Sequence, residues 1–324
     1  MQRLTRLSCQ WEKAFMKNFI IQFLTCAVIL YASSCKKPEI TNPPAQNEFL
    51  YSWTNILNNP GDPILDVWFI SATEGYYISS SGIYQSDNSG NSWSKIVNNS
   101  SPSPNFSVVF VNNQFGFTFN FNQIQLTRDS GHTWLSKSLP TNQCYSFFFV
   151  SPSTGYYGDV HSGIYKTTDS CNTWVNVYQP KDNSNSCYYI FFQNADTGYF
   201  FTNSRKLYKT INGAASWQLI ENNIDTISKP GIPWNTLLFT DVNTGYYASD
   251  FSLLKTTDGG FSWNVLSNKG GEVNLIKFTG SDTGYYSCDS VINKTTDAGK
   301  SWTKSCQLSN GIFTGITFIN STNG

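Results

Sequence analysis

Charge is scarce in this chain: of 324 residues only 13% are Asp, Glu, Lys or Arg, and the formal net charge is zero. Arginine occurs only at Arg3, Arg6, Arg128 and Arg205, so no basic stripe exists to neutralise phosphates, and no nucleic-acid partner is expected. Histidine is limited to His132 and His161, so a zinc site or a Ser-His-Asp triad would have to use one of them. No glycine-rich phosphate loop follows a strand and opens a helix. The apolar run from Phe19 to Tyr31 has 13 residues, short of the roughly 20 that a membrane-spanning helix needs. No cofactor and no metal is expected.

Aromatic residues are plentiful at 16%, and Ser, Thr and Asn are abundant, which suits an all-β protein with a polar, weakly charged surface. A hydrophobic content of 40% is sufficient for a sizeable core. The first 49 residues read differently. From Met16 the sequence "MKNFIIQFLTCAVILYASSCKKPE" has a short basic start, the apolar run, and small residues ahead of Cys35. It resembles a bacterial lipoprotein signal peptide. That resemblance implies a signal at 16–34, cleavage before Cys35, acylation of its thiol, and a lipid anchor in the outer membrane or at the cell surface. Residues 1–15 have no place in such a signal and read as an upstream extension. Residues 35–49 form a Pro-rich polar tether, and the folded part spans 50–324.

One short pattern recurs through that part: "SDNSGNSW" from Ser86, "TRDSGHTW" from Thr127, "TTDSCNTW" from Thr167, "TINGAASW" from Thr210, "TTDGGFSW" from Thr256 and "TTDAGKSW" from Thr295. Their tryptophans (Trp93, Trp134, Trp174, Trp217, Trp263 and Trp302) are 41, 40, 43, 46 and 39 residues apart. A second motif, of the form "TGYY", runs in phase with it at Thr73, Gln114, Ser153, Asp196, Asn243 and Asp282. A period near 40 with several short aromatic and β-branched runs per unit predicts a β-propeller of four-stranded blades. In one unit the strands, labelled a to d, are expected at 107–112, 115–120, 124–129 and 134–139. Six repeats are complete. Residues 51–58 look like a lone d strand and 311–324 like a lone a strand, which together predict a composite or truncated seventh blade.

The pattern Ser/Thr-x-Asp-x-Gly-x-Ser/Thr-Trp resembles the Asp-box, or BNR repeat, found in sialidases, xyloglucan hydrolases, sortilin-type receptors and the photosystem II assembly factor family. The "TGYY" and "KTTDGG" forms are most similar to the last of these. The resemblance implies that the Asp position (Asn88, Asp129, Asp169, Asn212, Asp258, Asp297) caps a turn between strands c and d, that the glycine takes a positive φ, and that the Trp packs between blades. Six copies of one turn in one chain, four with Asp and two with Asn, already favour a structural role for the acid over a catalytic one. The tyrosines of "GYY", such as Tyr156 and Tyr157, recur in almost every blade, which favours core packing over sugar stacking.

Strands alternate in direction, so c-to-d and a-to-b turns share one face and b-to-c and d-to-a connections share the other. That second face carries the candidate ligand-binding residues Asp159, His161, Arg205, Trp234, Asp250 and Asp289. Asp250 and Asp289 fall in adjacent blades and are the weak catalytic candidates, because a glycosidase needs two carboxylates roughly 5–9.5 Å apart. Turns are also where Asp is common for its own backbone bonding. Sialidase chemistry is disfavoured, since the resemblance implies three substrate-binding arginines and only Arg128 and Arg205 follow the signal. Cys144 and Cys187 hold equivalent places on neighbouring inner strands, which raises a disulfide as a hypothesis, whereas Cys288 and Cys306 are separated by a strand. The expectation is a monomeric, non-catalytic, envelope-anchored scaffold that binds a protein or a polysaccharide. The alternative is a glycoside hydrolase of the xyloglucan-degrading type.

Overall fold

The computed structural model describes residues 62–98, 107–159, 161, 163–180, 187–202, 204–220, 223–224, 237–249, 252–267, 273–308, 313 and 316–318. These residues form 24 strands in six four-stranded antiparallel sheets, each with strand order a-b-c-d: the blades of a β-propeller. Blade 1 holds β1 (Ile64–Phe69), β2 (Gly75–Ser79), β3 (Gly82–Ser86) and β4 (Ser94–Asn98). Blade 2 holds β5 (Ser107–Phe110), β6 (Gly116–Phe119), β7 (Gln123–Thr127) and β8 (Leu135–Ser138). Blade 3 holds β9 (Cys144–Phe149), β10 (Gly155–Asp159), β11 (Gly163–Thr167) and β12 (Val175–Tyr178). Blade 4 holds β13 (Cys187–Phe192), β14 (Gly198–Thr202), β15 (Leu207–Thr210) and β16 (Gln218–Ile220). Blade 5 holds β17 (Leu237–Phe239), β18 (Gly245–Ser249), β19 (Ser252–Thr256) and β20 (Asn264–Ser267). Blade 6 holds β21 (Val273–Phe278), β22 (Gly284–Cys288), β23 (Val291–Thr295) and β24 (Thr303–Gln307). In blade 2 the observed strands lie within one or two residues of the expected ones.

The "TGYY" motif is a packing device. Its glycine pairs with the last Phe of strand a, and a Cβ on Gly155 would lie 2.6 Å from the Phe149 ring, as at every equivalent glycine. The first aromatic after the glycine leaves its own blade and stacks on the corresponding Phe of the next one. These contacts are Tyr76–Phe110 at 4.9 Å, Phe117–Phe149 at 4.9 Å, Tyr156–Phe192 at 3.9 Å, Tyr199–Phe239 at 4.2 Å and Tyr246–Phe278 at 4.2 Å. Tyr285 repeats the contact with Phe318 at 4.6 Å, and Phe313 and Ile316 are buried in the same apolar cluster as Tyr285. The second aromatic mostly packs within its own blade, as Tyr157 stacks on Tyr165 at 4.8 Å and meets the edge of Trp174 at 4.9 Å, whereas in blade 5 Tyr247 stacks on Phe201 of blade 4 at 4.8 Å. Offset and edge-on aromatic contacts of this kind each add about 0.5–1.5 kcal/mol beyond burial.

The box tryptophans are therefore mostly partners of their own blade. Trp93, Trp174, Trp217 and Trp302 meet the second aromatic of their blade at 4.7–4.9 Å. Blade 2 differs because Thr118 replaces that aromatic, and Trp134 instead touches Phe110 and, across the junction, Tyr76 of blade 1. The Cys144–Cys187 disulfide is not formed. All five described cysteines are free thiols, and Cys187 Sγ points at strand b of blade 3, where a Cβ on Gly158 would lie 2.4 Å from it. Burial pushes both thiols well above their ordinary pKa, so they behave as core side chains.

Candidate functional site

The two ends of the blades were assigned from strand direction, and the turns themselves agree. Each box turn donates a backbone N–H to the a-to-b turn of its own blade, as in Ser89 N to Thr73 O at 2.8 Å and Ala298 N to Asp282 O at 2.9 Å, so the two turn types share a face in all six blades. Within a box, the first hydroxyl and the Asp organise the backbone. In blade 2, Thr127 Oγ1 accepts from Gly131 N at 2.7 Å, and Asp129 accepts from Thr133 N at 2.9 Å and from the Thr133 hydroxyl at 2.6 Å. The bonds from Thr133, opposed by slight burial and helped by Thr127, hold the Asp129 carboxyl at about 2. Asp169 and Asp297, bonded in the same way by Thr173 and Ser301, are also held at about 2. Asp258 accepts equivalent bonds from Ser262.

Asn88 and Asn212 keep the backbone acceptor role but reverse the side-chain bond. Their amides donate to Ser92 and Ser216, at 2.7 and 2.9 Å. Two consecutive residues of every box take left-handed φ, and Cys171 (φ 65°) and Ala214 (φ 70°) do so at the position where the other four boxes have glycine. The box carbonyls are also the anchor for the preceding blade. The Tyr76 hydroxyl donates to Ser130 O, Tyr156 and Lys166 both donate to Gly213 O, and Tyr246 and Lys255 both donate to Ala298 O. The box acids are thus occupied in holding turns and junctions.

The opposite face is built from unlike turns. In blade 1, Asp62 accepts bonds from the hydroxyls of Ser79, Ser80 and Ser81 at 2.5–2.7 Å, which outweigh burial and lower its carboxyl to about 2. In blade 2, Asn120 Oδ1 accepts from Asn122 N and Gln123 N. In blade 4, Thr202 Oγ1 accepts from Lys206 N at 3.0 Å.

Of the residues singled out from sequence, four can be placed. Asp159 ends β10 and is 1% exposed, with Oδ1 accepting from His161 N at 2.8 Å, so it lies beneath the surface as a turn acceptor. The His161 side chain is exposed on the adjoining turn. Arg205, half-buried with φ 61°, sits on the neighbouring blade, its N–H bonded to Thr202 O at 2.9 Å. Asp289, exposed with φ 49°, opens the turn of blade 6. Trp234 and Asp250 lie outside the described residues, and with Asp250 goes one half of the candidate carboxylate pair. Cys35 lies outside them as well.

Along the axis is a cavity of about 1140 Å³, lined by strand a of all six blades, by the a-to-b turn residues Gln193, Asn194, Thr240, Gly280 and Ser281, and by Phe313 and Ile316. Sequence reading passed over it. The in-phase signal was nevertheless present: the residue seven places before each repeat glycine is Trp68, Val109, Phe148, Phe191, Leu238 or Lys277, and all six are half-buried cavity-wall residues. One row deeper, polar side chains stitch neighbouring inner strands together. Asp66 accepts from Ser107 Oγ and Val108 N, Ser146 Oγ accepts from Ile190 N at 3.0 Å, and the Tyr189 hydroxyl donates to Leu237 O at 3.0 Å.

No protein-family model and no curated protein matches the chain. Among solved structures it is similar to YCF48 from Cyanidioschyzon merolae, with a TM-score of 0.59 and 11% identity over 80% of this chain and 90% of that one. It is similar to the GH74 xyloglucanase from Xanthomonas campestris, with a TM-score of 0.57 and 13% identity over 78% of this chain and 46% of the enzyme. It is also similar to the extracellular domain of BT4673 from B. thetaiotaomicron, with a TM-score of 0.64 and 12% identity over 81% of this chain and 36% of that one. At such identities the likeness is one of fold, and that fold is the β-propeller.

Proposed function

We propose that the protein is a non-catalytic binding or assembly scaffold at the bacterial envelope, held there by a lipid on Cys35 and presenting its b-to-c face to a protein or polysaccharide. The observation that carries this reading is the contrast between the faces. The box face repeats one turn six times, while the other face presents unlike polar side chains, among them His161, Arg205 and Asp289. In the same reading a seventh blade, composite or truncated, takes its a strand from residues 311–324 and its d strand from 51–58. Tyr285 stacking on Phe318 in the manner of the other five junctions supports it.

The test is a polysaccharide panel scored for retention and for new reducing ends together, with Asp289→Asn and Asp250→Asn as controls. Retention without cleavage, or no interaction with any polysaccharide, is expected, and the second result directs the search to protein partners. New reducing ends lost in either variant would replace the scaffold with a glycoside hydrolase. The anchor is tested separately: a fatty-acid label should be incorporated by the wild type and absent from Cys35→Ala.

A further inference from the structure

The row of half-buried residues around the axis has one charged member. Five positions, Trp68, Val109, Phe148, Phe191 and Leu238, are apolar, and the sixth is Lys277. Its ammonium lies over the Trp68 ring at 4.6 Å from the centroid, and among the described residues no carboxylate is within ion-pair distance of it. The nearest acid that acts on it is Asp66, whose oxygens are already taken. Oδ1 accepts from Val67 N at 2.9 Å, and Oδ2 from the Ser107 hydroxyl and Val108 N. Asp66 therefore holds blade 1 to blade 2 and acts on Lys277 only at a distance.

An ammonium held in an apolar wall loses hydration that a ring face and a remote carboxylate replace only in part. That loss pulls the Lys277 pKa below its ordinary value. An anion in direct contact would supply what is missing. The wall around Lys277 sets the rest of the ligand: apart from Lys277 and the Trp68 indole N–H the row is apolar and suits aliphatic or aromatic surface, while Gln193, Asn194, Thr240 and Ser281 add polar groups toward the a-to-b turns. A cavity of about 1140 Å³ has room for an extended chain.

We propose that the axial cavity binds an organic anion with an apolar body, a carboxylate carried on an aliphatic or aromatic chain, with Lys277 as its counter-ion. Two sources share this chemistry, a fatty carboxylate and the C-terminus of an apolar peptide. The site is separate from the b-to-c surface, so the polysaccharide screen can fail or succeed without touching it.

The experiment is calorimetric titration of the full chain with four probes: decanoate, decanol, and the tripeptide N-acetyl-Phe-Leu-Phe as free acid and as C-terminal amide. The expected result is that at least one acid binds the wild type about tenfold or more tightly than its neutral counterpart. Lys277→Met should remove that preference, and Lys277→Arg should keep it. Decanoate alone would identify a fatty carboxylate as the ligand, and the peptide acid alone a peptide C-terminus. The proposal is overturned if neither acid binds, if each acid binds the wild type no better than its neutral form, or if a folded Lys277→Met retains the preference. The acid-to-neutral ratio in the wild type decides the matter even if the variant fails to fold.

Discussion

On the box face six turns share one backbone path, whereas on the opposite face the described turns of blades 1, 2, 3 and 4 are closed by four unlike residues, Asp62, Asn120, Asp159 and Thr202. The difference separates two kinds of constraint. A box turn must satisfy its own backbone, its blade's a-to-b turn and the Tyr or Lys of the preceding blade, so its sequence is repeated. A b-to-c turn has only to reverse the chain, and its side chains are left to differ. Repetition here marks the junctions, and variation marks the face that carries none of them.

The sharpest way to break the comparison is to truncate one residue from each side of it. Tyr156 is fully buried, stacks on Phe192 at 3.9 Å and donates to Gly213 O at 3.1 Å. Tyr156→Ala should cost about 3–5 kcal/mol, as large aromatic-to-alanine changes in cores do. Tyr156→Phe, which removes only the hydroxyl, should cost about 1 kcal/mol. His161→Ala, an exposed change on the other face, should stay within about 0.5 kcal/mol. Urea unfolding of the three variants measures this, and equal losses from Tyr156→Ala and His161→Ala would dissolve the distinction.

A smaller effect is expected inside the box turn. Gly131 has φ 90°, and a Cβ there would lie 2.5 Å from the Tyr76 ring. Gly131→Ala should therefore cost about 1–3 kcal/mol through strain and overpacking at the junction of blades 1 and 2. Cys171 and Ala214 show that the left-handed conformation alone is affordable, so a loss at Gly131 reports the ring of Tyr76. Pairing the change with Tyr76→Ala, which removes the ring, in a double-mutant cycle measures that coupling, and strict additivity would rule it out.

How much of this could be read beforehand follows from the same contrast. The six complete blades, the strand order, the capping carboxylates and the burial of the "GYY" tyrosines were legible because six in-phase copies expose what they have in common. Residues that matter as individuals were less legible. Asp159 looked like a surface turn acid because turns favour Asp, and its burial depends on how blade 3 meets its neighbours. Lys277 sits in an inner strand of mixed pattern, Val-Asn-Leu-Ile-Lys-Phe, and which of its residues line the axis is set by the ring and not by the strand's own pattern. The role of tryptophan was legible only in part: in blade 2, where Thr118 stands in place of the second aromatic, Trp134 meets Tyr76 of the preceding blade as well as its own Phe110.

The finest test lies within the box turns, two of which carry Asn where four carry Asp. Both residues accept from the same backbone position, so Asp129→Asn should leave the turn intact and reverse only the bond to Thr133. The charge makes the difference titratable. Asp129 is held at about 2, below its ordinary 3.8, chiefly by the Thr133 hydroxyl and backbone N–H. A carboxyl depressed in the folded state stabilises it above the unfolded-chain value and loses that contribution as pH falls through the folded one. Wild type should therefore melt slightly higher than Asp129→Asn near neutrality, with the gap closing between about pH 4 and pH 2, while the boxes of Asn88 and Asn212 add nothing to the slope. A gap that stays constant down to acid pH would mean that the carboxylate's charge contributes nothing at this turn, and that Asp and Asn are equivalent acceptors in the box.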